Sequence, residues 1–241
     1  MIISHRHRFV LLSPWKTASS TMHLRLMRFN ESPYQGFYDF NPHLQRVVHQ
    51  HLTYADFTAL PESRLGYVTA AFVRNPYDRV YSGFLQLQRD IEAMPRLDFP
   101  TPWTKPLVMR QIAENFAQLA AAGFEFNTWV GLIQDHQVLE VGHNSSFPLH
   151  PAHYWTGIDG ERRVDFVGHV ERFERDFDRL CQRVGITPER RDNANVSDAP
   201  AAAGDPDTPR YLGHMTAATL SRINALFARD FEIFGFRRYG T

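Results

Sequence analysis

The chain has 241 residues, 43% hydrophobic and 22% charged, enough for one large domain or two small ones with a good core. Its 26 basic and 26 acidic side chains cancel, so no global attraction to nucleic acid or an anionic membrane is expected and any anion site must be local. The single cysteine, Cys181, excludes an intrachain disulfide and a C-x-x-C redox or zinc motif, and no apolar run is long enough for a signal peptide or a membrane span. The chain reads as a soluble cytoplasmic protein, although one that had lost an anchor would read the same way.

In chain order, an apolar run predicts a first strand over 8–13, and a helix follows over 20–29. Residues 30–42 are rich in Asn, Pro, Gly and aromatics and read as a loop. A second strand is expected over 46–49, then a short helix with Thr53 as its N-cap. The clearest buried strand is 66–73, followed by helices over 77–94, 107–122 and 127–134. Residues 136–160 show no period and are expected to run over the surface. A third strand at 164–170 leads into an amphipathic helix at 172–184, a polar loop at 192–209 and a last helix at 216–234. Strands alternating with helices predict one α/β sandwich around a mainly parallel sheet. Ligands of such sheets bind beyond the C-terminal strand ends, where Lys16 and Arg74 both fall.

Two stretches carry the chemistry. FVLLSPWKTASSTM, from Phe9 to Met22, is a strand, a tight turn and a helix start. Unpaired N–H groups at the helix start, the hydroxyls of Ser19, Ser20 and Thr21, and the Lys16 ammonium together suit a phosphate or sulfate. An ordinary turn with a solvated lysine would read the same. A Walker A loop is excluded, because the turn holds no glycine and its lysine comes first. In FVRNPYDRVYS, from Phe72 to Ser82, a strand delivers Arg74, Pro76 starts a helix, and Ser82 shares a helix face with Asp78. An arginine fork with a hydroxyl grips a phosphate monoester, while an Arg74–Asp78 scaffold pair is the plainer alternative.

These stretches resemble sulfotransferases that use 3′-phosphoadenosine 5′-phosphosulfate (PAPS). PWKTASST is similar to their 5′-phosphosulfate loop and RNPYDRVYS to their 3′-phosphate element. FVGHVERFERDF and FARDFEIFGF resemble later segments of the Golgi-type carbohydrate sulfotransferases and their bacterial relatives, the sulfotransferase family 2-like group. The resemblance implies a P-loop NTPase-like three-layer sandwich with helices flanking the sheet. It assigns Lys16, Thr17, Ala18, Ser19, Ser20 and Thr21 to the 5′ phosphate and sulfuryl group, and Arg74 and Ser82 to the 3′ phosphate. Two departures stand out. Trp15 precedes the lysine and is expected either to stack on adenine or to pack inward. Ala18 occupies a spot where glycine is frequent.

Sulfuryl transfer to a hydroxyl needs charge stabilisation at the leaving phosphate oxygen, which Lys16 could supply, and a base. VHQHLTYADF, from Val48 to Phe57, is similar to the H-x-H-x-x-x-x-D-F segment of uronyl 2-O-sulfotransferases, whose histidine is the base. The match ranks His51 first and His49 second, against a pair of polar histidines at a strand end. His150, His153, Tyr154 and Trp155 are read either as a wall for a carbohydrate acceptor or as loop packing. Glu171 and Glu174 open a helix and read as structural, and Asn195 and Ser197 as possible neighbours of the nucleotide. No metal is expected, since no carboxylate or cysteine completes either histidine pair. The expected product is adenosine 3′,5′-bisphosphate, and the expected partner a carbohydrate or glycoconjugate. Two other readings are a nucleotide kinase-like phosphoryl transferase and a non-catalytic nucleotide-binding module. Oligomeric state is not legible.

Overall fold

The computed structural model describes residues 1–33, 39–93, 104–139, 149–188 and 209–240. Asn195 and Ser197 lie outside the described residues. The chain's contacts group into two compact units, one of residues 1–74 with 152–196, the other of 75–151 with 197–241.

The first unit is built on a four-stranded sheet. Its strands are β1 (Ile2–Ser4), β2 (Phe9–Leu12), β5 (Val68–Val73) and β8 (Phe166–His169), in the order β1-β2-β5-β8. β1 pairs antiparallel with β2, whereas β2–β5 and β5–β8 are parallel, so the sheet is mixed with two of its three pairings parallel. Strand alternation divides the apolar residues between the two faces. Ile2, Phe9, Leu11, Ala70, Phe72 and Phe166 bury one face against helix α1 (Ser19–Leu26) and helix α8 (Phe173–Val184), through Met22, Leu26, Phe177, Leu180 and Val184. Ile3, Val10, Leu12 and Ala71 bury the other face against Val48, Leu52, Phe57, Leu60 and Trp155. Helices thus cover both faces, as the alternation predicts. Gly168 is required by this packing, since a Cβ there would lie 2.5 Å from the Phe72 ring.

Arg25 fastens α1 to α8. Its guanidinium makes two hydrogen bonds to Glu174, at 2.7 and 2.8 Å, and lies 5.3 and 5.4 Å from the Phe173 and Phe177 ring centres. Glu174 therefore acts structurally.

Several expectations need correction. β1 was not expected, because two isoleucines ahead of a polar turn give no readable period. The strand expected at 46–49 forms as β4 (Arg46–Val48), but it pairs with β3 (Asp39–Asn41), inside the expected loop, in a separate antiparallel sheet. Within 136–160, part of the chain is ordered and buried. α7 (His153–Thr156) leads into a hairpin of β6 (Gly157–Ile158) and β7 (Glu161–Arg162), and Trp155 is buried.

The second unit is helical where described: α3 (Pro76–Ala93), α4 (Thr104–Ala121), α5 (Phe126–Leu132), α6 (Asp135–Leu139), α9 (Ala217–Leu226) and α10 (Ala228–Phe234). Asn75 starts α3, its Oδ1 accepting the Tyr77 N–H at 3.1 Å, with Pro76 at the first helical position. Tyr77, Phe84, Phe126 and Trp129 form an aromatic core, with Tyr77 5.0 Å from Phe231 and Phe84 5.4 Å from Trp129. The last predicted helix is in fact two, divided at Phe227, whose side chain is buried.

Candidate active site

The turn between β2 and α1 has an unusual backbone. Lys16 and Ala18 both take left-handed conformations, at φ 64° and 63°. Neither is a glycine, and an L-residue in that region carries a steric cost between its Cβ and the following carbonyl oxygen. Thr17, fully buried, closes the turn by donating its hydroxyl to the Pro14 carbonyl at 2.7 Å. Ala18 is the N-cap of α1 and offers no side-chain oxygen to its first turn. The first turn of α1 therefore has no side-chain cap from its N-cap residue, and the N-terminus of a helix is where backbone N–H groups and the helix dipole suit an anion. Position 18 thus holds a backbone conformation that glycine adopts without that cost. Trp15 is half-buried, and the Lys16 ammonium lies 5.7 Å from its ring centre, a cation–π contact.

Arg74, at the C-terminal end of β5, donates from Nη1 to the Lys16 carbonyl at 3.4 Å. The parallel pairing of β2 with β5 explains the approach, because it brings Leu12 beside Ala71 and both strands end at the same edge. Arg74 is half-exposed. Ser82 is buried on α3 in the second unit.

His51 meets the same turn. Its Nδ1 is 2.5 Å from the carbonyl oxygen of Ser13, the last residue before Pro14. A carbonyl only accepts, so Nδ1 carries the proton and Nε2 keeps its lone pair. No strand of the main sheet delivers His51 to this edge, because β4, which precedes it, belongs to the separate sheet. Burial of Val48 and Leu52 beneath the main sheet brings the segment there instead. Next in sequence, Thr53 and Asp56 form a capping box at the start of α2 (Tyr54–Thr58), and Arg46 bonds Asp56 at 2.6 Å.

The His49 ring stacks on the His51 ring, centroids 4.7 Å apart and planes 16° apart, and its Nδ1 accepts the His51 backbone N–H at 3.3 Å. Burial, and then the neighbouring His49, hold His51 well below the usual histidine range, with the Ser13 carbonyl acting the other way. Burial brings His49 down to about 4. Both rings are therefore neutral at pH 7, the state a base requires and an acid does not. His23, on α1 one turn beyond Ser19, is also brought to about 4 by burial. Its Nε2 has no hydrogen-bond partner among the described residues. Sequence reading missed His23, although its i+4 spacing from Ser19 puts it on the loop's side of the helix.

The stretch 149–156 is packed rather than open. His150 is buried in the second unit and its Nδ1–H donates to the Val138 carbonyl at 2.9 Å. In the first unit, His153 lies against Tyr154 with centroids 4.5 Å apart, and the Trp155 indole N–H donates to the His51 carbonyl at 3.1 Å. Among the described residues, no group of three or more His, Cys, Asp or Glu is arranged to hold a metal ion. Nor, among the described residues, is any helix long and apolar enough to cross a membrane.

The structure thus brings Lys16, Thr17, Ala18, Arg74, His49 and His51 to one sheet edge of the first unit, a basic turn with a neutral histidine pair beside it. No curated protein and no solved structure matches the chain significantly. A family model does, and it covers residues 1–237: the chain belongs to the Sulfotransferase family.

Proposed function

We propose that the protein is a single-domain, P-loop-like sulfotransferase that moves a sulfuryl group from PAPS to a hydroxyl of a carbohydrate or glycoconjugate, without a metal. The observation that carries this reading is the meeting of Lys16, Arg74 and His51 at one turn: Arg74 Nη1 lies 3.4 Å from the Lys16 carbonyl, and His51 Nδ1 lies 2.5 Å from that of Ser13.

In this reading the amides of residues 16–21, with the hydroxyls of Ser19, Ser20 and Thr21, hold the 5′ phosphate and the sulfuryl oxygens. Arg74 holds the 3′ phosphate. His51 Nε2 takes the proton from the acceptor hydroxyl, with His49 second in line for that role. As the acceptor oxygen bonds to sulfur, the bond from sulfur to the bridging oxygen breaks. The electron pair passes to the departing phosphate of adenosine 3′,5′-bisphosphate, where the Lys16 ammonium stabilises it. Membership of the Sulfotransferase family sets aside the kinase-like alternative.

The test is the grip on the 3′ phosphate. Arg74→Ala should weaken binding of adenosine 3′,5′-bisphosphate by roughly tenfold or more, the size of a lost charge-assisted contact, and barely affect adenosine 5′-phosphosulfate. Calorimetric titration of both nucleotides reads this directly. Equal weakening of the two would make Arg74 a scaffold residue and remove the 3′-phosphate assignment.

A further inference from the structure

His51 is held at every polar position except Nε2. Its ring Nδ1–H goes to the Ser13 carbonyl at 2.5 Å, its backbone N–H to His49 Nδ1 at 3.3 Å, and its carbonyl accepts the Trp155 indole N–H at 3.1 Å. The third contact comes from 104 residues away in the chain. Trp155 is 4% exposed and packs in the apolar layer beneath the sheet with Val48, Leu52 and Phe57. Packing alone would be served by any large apolar side chain. An indole also carries an N–H that must be satisfied when buried, and here it is spent on the backbone of His51.

The short helix that carries Trp155 is itself tied down. The Thr156 carbonyl accepts from the backbone N–H groups of Arg163 and Val164, at 2.7 and 3.0 Å, and Thr156 is fully buried. At Gly157 a Cβ would lie 1.6 Å from the Glu161 carbonyl oxygen, so only glycine lets the hairpin close behind Trp155. His51 sits between two fixed points, the turn that follows β2 and the helix that precedes β6.

We propose, resting on the reading of His51 as the base, that Trp155 is a positioning residue: its indole N–H, with the Ser13 carbonyl, fixes His51 with Nδ1 protonated and Nε2 presented to the acceptor hydroxyl. Without it the His51 backbone shifts away from Ser13, the ring loses its single tautomer, and a proton occupies Nε2 for part of the time. The stacked His49 ring limits rotation, and its Nδ1 accepts the His51 backbone N–H.

The test needs no acceptor. Long-range ¹H–¹⁵N spectra of protein labelled at histidine report the tautomer of each ring, and His51→Gln identifies the His51 signals. The unmutated protein should show His51 with Nδ1 protonated and Nε2 bare at pH 7. Trp155→Phe, which keeps a large ring but deletes the donor, should shift the tautomer ratio by roughly tenfold, the factor for one net hydrogen bond. Should Trp155→Phe not fold, benzothienylalanine at position 155 keeps the shape of the indole with sulfur in place of the N–H. Unchanged His51 signals in the variant, even with a lowered melting temperature, would make Trp155 a packing residue and overturn the proposal. So would the opposite tautomer in the unmutated protein. Failure of the PAPS reading would appear elsewhere, as the absence of any thermal shift with adenosine 3′,5′-bisphosphate while the tautomer stays as described.

Discussion

Ala18→Gly should stabilise the protein, an unusual direction for a change to glycine. Ala18 sits at φ 63°, ψ 26°, inside the left-handed region. The Cβ of an L-residue there costs roughly 1–2 kcal/mol, which glycine does not bear. Against this, glycine gives the unfolded chain more freedom, about 0.4–1 kcal/mol. Ala18 is partly exposed and absent from both apolar clusters of the first unit, so its methyl contributes little packing. The net gain is about 0.5–1 kcal/mol, or about 1–4 °C in melting temperature for a chain of this size. A control makes the sign decisive. Ala117, exposed in the interior of α4, has ordinary helical geometry, and Ala117→Gly should cost roughly 0.5–1 kcal/mol. Paired thermal melts read both. If Ala18→Gly lowers the melting temperature as Ala117→Gly does, Ala18 is not left-handed, and the turn before α1 does not have this form.

Three other outcomes follow from the same geometry. Burial holds the folded pKa values of His23 and His49 at about 4 and that of His51 well below 6.5. The unfolded chain therefore binds more protons than the folded one below pH 6.5, and stability should fall as pH drops from 6.5 towards 4. Melts across that range should show it, and the slope should flatten in a His23→Gln, His49→Gln double variant. His51→Ala should abolish turnover of PAPS with a competent acceptor and leave adenosine 3′,5′-bisphosphate affinity within about twofold; unchanged turnover would remove His51 from the mechanism. Arg25→Ala loses two hydrogen bonds to Glu174 and its contacts with Phe173 and Phe177. It should lower stability by about 2 kcal/mol, seen as a lower denaturation midpoint, with the discount that Glu174 is 58% exposed.

Elements with a strong local signal were legible in the sequence. The apolar run of β5 between Gly66 and Pro76, and the amphipathic run of α8, form close to where their residue patterns put them. The meeting of Lys16 with Arg74 was legible because strand ends share an edge in a parallel sheet. The motif singles out His51 but not how it is seated: β4 pairs outside the main sheet, and the burial of Val48 and Leu52 brings the segment to the turn. Pairing partners are a property of the whole chain, and three-residue strands such as β1 and β3 carry no pattern of their own. Trp155 was visible as an aromatic residue in an irregular stretch. Its role depends on a bond across 104 residues, which no local spacing encodes. The importance of Ala18 lay in its φ angle, which alanine conceals and glycine would have announced.

The most direct measurement is calorimetric titration of the purified protein, in EDTA, with adenosine 3′,5′-bisphosphate and with ATP. Saturable binding of the bisphosphate without a divalent ion, and none of ATP at the same concentrations, is the expected result. Binding of ATP that depends on magnesium, with no heat from the bisphosphate, would contradict the assignment of the Lys16 turn and Arg74 to a 3′-phosphorylated sulfuryl donor.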